Sequence, residues 1–147
     1  MFRVYLAGSI QEEKEGFCRE WRNKVEKRFK EYSYIEFINP IKDKDLSEEY
    51  DPKRIFEEDI RCINKSDLVI VEMDCPDYHY IGSSIEIHHA WRKDIPVIVW
   101  GKAHSKHYFL RYLIERRVET FEPMIDIIYK KYHDHCLIFR DELDKGE

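Results

Sequence analysis

Leu68-Val69-Ile70-Val71, a loop from Asp74 to Ile81, then Gly82-Ser83-Ser84-Ile85-Glu86-Ile87-His88-His89-Ala90-Trp91: this stretch decides the fold. The apolar run is too short for a helix and reads as a buried strand. Small residues then open a helix. That order puts Glu86 in the first helical turn at the carboxyl end of a strand, where open α/β sheets bind ligands. The helix macrodipole favours negative charge there. Glu86 is therefore expected to be ionised at neutral pH, which suits a carboxylate nucleophile. A second reading stands beside it. Ser83 and Glu86 also fit the S-x-x-E capping box, in which the glutamate merely satisfies the start of its own helix.

Working outward, strands and helices alternate. Phe2 to Leu6 is a strand that ends in Ala7-Gly8-Ser9, where glycine permits a tight turn and close approach of a ligand. Phe17, Trp21, Val25 and Phe29 recur every four residues as the apolar stripe of a helix, with Lys, Glu and Arg on the other face. Tyr34 to Ile38 is a second strand, stopped by Asn39-Pro40. Ile41 to Pro52 has no period, and a loop that long is usually functional or disordered. Lys53 to Lys65 forms the next helix, with Ile55, Phe56, Ile60 and Ile63 toward the core. Asp59 falls at the edge of that stripe, either as its last solvated position or pointing into a pocket.

After the central strand, Asp67 to Glu72, the helix of Glu86 turns Ile87, Ala90 and Trp91 toward the sheet. Ile95 to Trp100 and Val118 to Phe121 complete five strands, with a short helix over Tyr108 to Arg116 and another from Pro123 through Lys131. The expected architecture is α/β: a single domain over residues 1–147, built as an open parallel five-stranded sheet with helices on both faces, flavodoxin- or Rossmann-like. Residues 135–147 are read as a C-terminal tail that contacts a neighbouring subunit.

Composition narrows the partners. A net charge of −5 gives no footprint for a nucleic acid polymer. No apolar run approaches the roughly 18 residues of a membrane span. The cysteines at 18, 62, 75 and 136 form no CxxC pair and read as reduced thiols of a cytoplasmic protein. His88 and His89 point about 100° apart and cannot share a metal ion. The segment Tyr132-His133-Asp134-His135-Cys136 lacks matching ligands elsewhere, so no metal is expected.

Val4 to Ser9, Glu58-Asp59-Ile60, Ser66 to Val71, Gly82 to Glu86 and Pro96-Val97-Ile98 together resemble the nucleoside 2-deoxyribosyltransferase family in order and spacing. Its superfamily includes the 2'-deoxynucleoside 5'-monophosphate N-glycosidases. The resemblance implies exchange of nucleobases on 2'-deoxynucleosides, without a cofactor, by a homo-oligomer (dimer or hexamer). Glu86 matches the nucleophile, Tyr5 the tyrosine that orients it, and Asp59 an aspartate that assists protonation of the leaving base. Gly8, Ser9, Gly82 and Ser83 fall at substrate-binding positions. A further base-contacting aspartate of the family aligns with Tyr80, six residues before Glu86, and Asp77 lies nearby. Ser9 matches a serine that the monophosphate hydrolases place on phosphate. Gln11-Glu12-Glu13 follow it here, however, and acids repel a phosphate. Small-molecule nucleosides and nucleobases are therefore the expected partners.

Overall fold

The computed structural model describes residues 1–146. Five strands, β1 (Phe2–Ala7), β2 (Ile35–Ile38), β3 (Leu68–Glu72), β4 (Val97–Trp100) and β5 (Arg116–Val118), lie in one sheet in the order β2-β1-β3-β4-β5. Every neighbouring pair is parallel. The chain winds outward from β1 to β2 and then crosses to β3 on the other side. The crevice at the carboxyl ends of β1 and β3 is therefore the switch point at which such sheets bind ligands.

Alternation along the strands separates two cores. Val4, Leu6, Leu68, Ile70, Ile98 and Trp100 face Trp21, Val25, Met124, Ile125 and Ile128 of α1 (Glu15–Arg28) and α5 (Phe121–Lys145). Tyr5, Ala7, Val69, Val71, Val97 and Val99 face Ile63, Ile87, Ala90 and Leu110 of α2 (Pro52–Asn64), α3 (Ile81–Arg92) and α4 (Tyr108–Leu113). Fully buried β-branched and Leu side chains of this kind are worth about 1.5–3 kcal/mol each. The expected helices on both faces are present.

Several expected boundaries shift. β5 comes earlier than Val118 to Phe121, and Phe121 instead opens α5, which runs to Lys145 and absorbs most of the expected tail. Past Cys136 the core ends, and Leu137, Ile138, Phe139 and Leu143 are exposed. Trp91 is not on the sheet face; it is 42% exposed and lies against His88 and Tyr112. Phe56 is likewise 56% exposed. The polar loop before α2 is tethered, since Ile41 is buried and Arg19 donates to the carbonyls of Ile41 and Lys44. Gly101 ends β4 at φ +114°, where a Cβ would stand 2.3 Å from the Met73 carbonyl oxygen. Among the described residues, no helix is long and apolar enough to cross a membrane.

Candidate active site

The start of α3 differs from the sequence reading, and the difference frees Glu86. The helix begins at Ile81, after Tyr80 in the left-handed region at φ 54°, so Glu86 stands in its second turn and not its first. Ser83 is an interior, buried residue of the helix and caps nothing. The capping box is therefore absent. Tyr80 tolerates its conformation because its hydroxyl is held twice. Its hydroxyl donates to Glu72 Oε2 at 2.6 Å and accepts from the Cys75 N–H at 2.9 Å.

Glu86 lines a cavity of about 540 Å³ together with Asp59 and Gly82. Its apolar wall is Tyr50, Pro52, Ile55, Phe56, Ile60 and Ile85, and Glu48 and Glu49 come from the tethered loop. No Lys or Arg is among the described lining residues. Tyr5, buried on β1, sits behind the two carboxyls and acts on both. Helix α2 brings Asp59 from one side, α3 brings Glu86 from the other, and the strand supplies the phenol between them. Oε2 of Glu86 is buried and has no hydrogen-bond partner among the described residues. An unbonded buried carboxylate oxygen is costly, and sites that hold one are commonly functional.

Electrostatics follow from this burial. Desolvation pushes the Glu86 carboxyl up to about 7, with Asp59 adding to the rise, while the Tyr5 hydroxyl and the Arg22 charge pull it down. The expectation of a fully ionised Glu86 is thus corrected. At neutral pH about half of it is charged, because burial outweighs a macrodipole whose first turn lies behind it. Burial also raises Asp59, against the pull of Lys44. Tyr5 is held well above the usual tyrosine range, first by burial and then by Glu86 and Asp59, so it stays a proton donor.

The other expected site residues lie apart from this cavity. Asp77 is exposed and is not in the cavity wall. Tyr80 borders a different cavity of about 280 Å³, and its hydroxyl is spent on Glu72. Gly8 and Ser9 close the end of β1 against Glu72. A Cβ at Gly8 would meet the Glu72 Cβ at 2.9 Å, and the Ser9 N–H and Oγ–H both donate to Glu72 Oε1, at 3.0 and 2.6 Å. With Asp74 N–H and Tyr80 on Oε2, this buried carboxyl accepts four hydrogen bonds. Sequence reasoning missed Glu72, which looks like the ordinary polar end of a strand. It also missed Arg22, Phe56 and the loop acids. A second cavity of about 180 Å³ adjoins the first through Asp59, Ile55, Tyr50 and Glu48, and Lys44 lines it. Among the described residues, no group of three or more His, Cys, Asp or Glu is arranged to hold a metal ion.

A family model described as nucleoside 2-deoxyribosyltransferase-like matches residues 1–103. The chain belongs to that family. The match takes in Tyr5, Asp59 and Glu86 and ends after β4. Two solved structures share the fold of this family member. A conserved protein from Enterococcus faecalis V583 superposes with a TM-score of 0.67 at 21% identity, over 89% of this chain and 99% of that one. The 2-deoxyribosyltransferase of the psychrotolerant bacterium Bacillus psychrosaccharolyticus does so with a TM-score of 0.64 at 15% identity, over 84% of this chain and 90% of that one. At such identities the likeness is one of fold. No curated protein matches the sequence.

Proposed function

We propose that the protein exchanges nucleobases on 2'-deoxynucleosides through a covalent deoxyribosyl–Glu86 intermediate. The observation that carries this reading is the buried, unbonded Glu86 oxygen in a cavity it shares with Asp59, with Tyr5 behind both. The ionised Glu86 attacks C1' of the sugar, and the C1'–N bond breaks with its electron pair going to the base. In the reactive form the proton sits on Asp59, which hands it to the departing nitrogen and is left ionised. Tyr5 orients the nucleophile. A second base then attacks C1' through nitrogen and gives its proton to Asp59, and Glu86 departs as the carboxylate. The aromatic and aliphatic wall of Tyr50, Phe56 and Ile55 supports stacking and burial of a flat base.

One observation favours a second reading, hydrolysis of 2'-deoxynucleoside 5'-monophosphates: Lys44 in the adjoining cavity is a cation within reach of a phosphate. Against it stand the carboxylates of the main cavity and a Ser9 whose two donors are spent on Glu72. Product analysis separates the two. Deoxyuridine with adenine yields deoxyadenosine in the first case. In the second, dUMP yields free uracil and deoxyribose phosphate with no exchange. A module that only binds nucleosides gives neither product and keeps its ligand in Glu86→Ala.

A further inference from the structure

The loop between β2 and α2 lines the site, and the chemistry above gives its charged residues no task. Its backbone is held. Ile41 is buried, and Arg19, paired with Glu15 at 2.8 Å, donates to the carbonyls of Ile41 at 2.6 Å and of Lys44. Farther along, the Glu48 N–H closes a turn onto the Asp45 carbonyl at 3.2 Å. The Tyr50 hydroxyl donates to that same carbonyl at 3.2 Å and accepts from the Asp45 N–H at 3.0 Å. Lys44 and Glu48 therefore leave a backbone that is fixed on both sides of them.

The two side chains meet at a junction. Glu48, like Asp59, lines both the main cavity and the adjoining one of about 180 Å³, whereas Lys44 lines the adjoining one alone. That smaller cavity runs past Asp59 to Ile10 and Ile41, just beyond the ends of β1 and β2. Its volume is below that of a pocket for a whole small molecule, so it admits only an arm of one. Lys44 is the one cation among its described lining residues, and the carboxyls are Glu48 and Asp59. While Asp59 holds the proton for the leaving base, Glu48 is the negative charge that shares this space with Lys44.

We propose that Glu48 sets the substrate class: at the junction it offsets Lys44, accepts a hydrogen bond from a free 5'-hydroxyl and turns a 5'-phosphate away. The inference rests on the reading of the main cavity as a nucleoside site. With the base on the apolar wall and C1' at Glu86, the 5' arm is the flexible branch that enters the smaller cavity. A hydroxyl donates, and a carboxylate receives it well. A phosphate ester brings about −1.5 to −2 charges near pH 7, and a like charge at the entrance repels it. Without Glu48, Lys44 stands unopposed and the same cavity takes a phosphate. Selectivity is then held by a repulsive group rather than by the lack of an attractive one.

Glu48→Gln removes the charge and keeps the shape, at an exposed position. Exchange onto adenine is followed from deoxyuridine and from dUMP, the second donor passing its deoxyribose phosphate to adenine with the phosphate unchanged, and kcat/KM is taken for each. The wild type is expected to favour deoxyuridine, and Glu48→Gln to shift the ratio toward dUMP by about tenfold or more. Adding Lys44→Ala to Glu48→Gln should lose most of that shift. A wild type that uses dUMP as well as deoxyuridine, a ratio unmoved in Glu48→Gln, or a shift undiminished in the double variant overturns the proposal. Binding separates this outcome from the chemistry. Calorimetry in the Glu86→Gln background gives the Kd of deoxyuridine and of dUMP, with and without Glu48→Gln. If the wild type exchanges no base, a Kd ratio that shifts as expected keeps the role of Glu48 and sinks the reading of Glu86 as nucleophile. An unmoved Kd ratio, or no binding of either compound, overturns the proposal itself.

Discussion

Burying Glu86 builds a pH-dependent instability into the fold, and Glu86→Gln removes it. The carboxyl, which ordinarily titrates near 4.5, does so here at about 7, with desolvation as the main cause. The folded state therefore holds the proton more tightly than the unfolded chain. A group with a raised folded value contributes stability that is fully present below about 4.5 and is lost as the pH climbs through about 7. The whole difference amounts to about 3 kcal/mol. Glutamine has the same shape and does not ionise. The variant should match the wild type near pH 4.5 and exceed it by up to about 3 kcal/mol near pH 8, or about 6–12 °C in Tm for a domain of this size. Thermal and urea denaturation of both proteins across that range measure the difference, in which the titrations of groups distant from Glu86 cancel. A gain that does not change with pH, or a variant less stable than the wild type near pH 8, refutes the reasoning.

Other perturbations follow from the same geometry. Tyr5→Phe removes the hydroxyl that favours ionised Glu86. The acid limb of kcat/KM should therefore rise while activity in alkali largely returns. Glu72→Ala strands four donors, from Ser9, Asp74 and Tyr80, and should cost about 3–5 kcal/mol by urea denaturation. Gly101→Ala forces a Cβ onto the Met73 carbonyl at φ +114° and should cost about 3 kcal/mol or more. Gly16→Ala, on α1 with open space around it, should instead gain about 0.5–1 kcal/mol.

The sheet was legible because parallel strands buried on both faces leave long apolar runs, and Leu68 to Val71 is the plainest of them. Glu86 stood out by following a strand and a small-residue turn, whereas Asp59, at the edge of an apolar stripe, was singled out only by the family resemblance. What the sequence concealed was where the helix of Glu86 begins. Tyr80 adopts a left-handed conformation with its hydroxyl held by Glu72, eight residues earlier and at the end of β3. No local pattern announces a contact of that kind. Arg22 was hidden differently. The stripe of α1 runs through Phe17, Trp21, Val25 and Phe29 as their spacing says, and Cys18 and Arg22 are buried beside it, so the arginine sits inside the apolar face. A cation beside the stripe was the available signal. The ionisation of Glu86 was misjudged because burial, which no spacing reveals, outweighs the helix dipole. The exposed second half of α5 was read as a tail because its apolar residues come as a consecutive run, Leu137-Ile138-Phe139, without helical period.

The central claim is that Glu86 carries the sugar during turnover. Acid quenching of the enzyme during reaction with deoxyuridine in the absence of an acceptor base, followed by proteolysis and peptide mass spectrometry, tests it directly. The account predicts a deoxyribosyl adduct on the peptide containing Ile81–Arg92, located at Glu86 and absent from Glu86→Gln. An adduct on any other residue, or turnover with no adduct and an inverted C1', would contradict it.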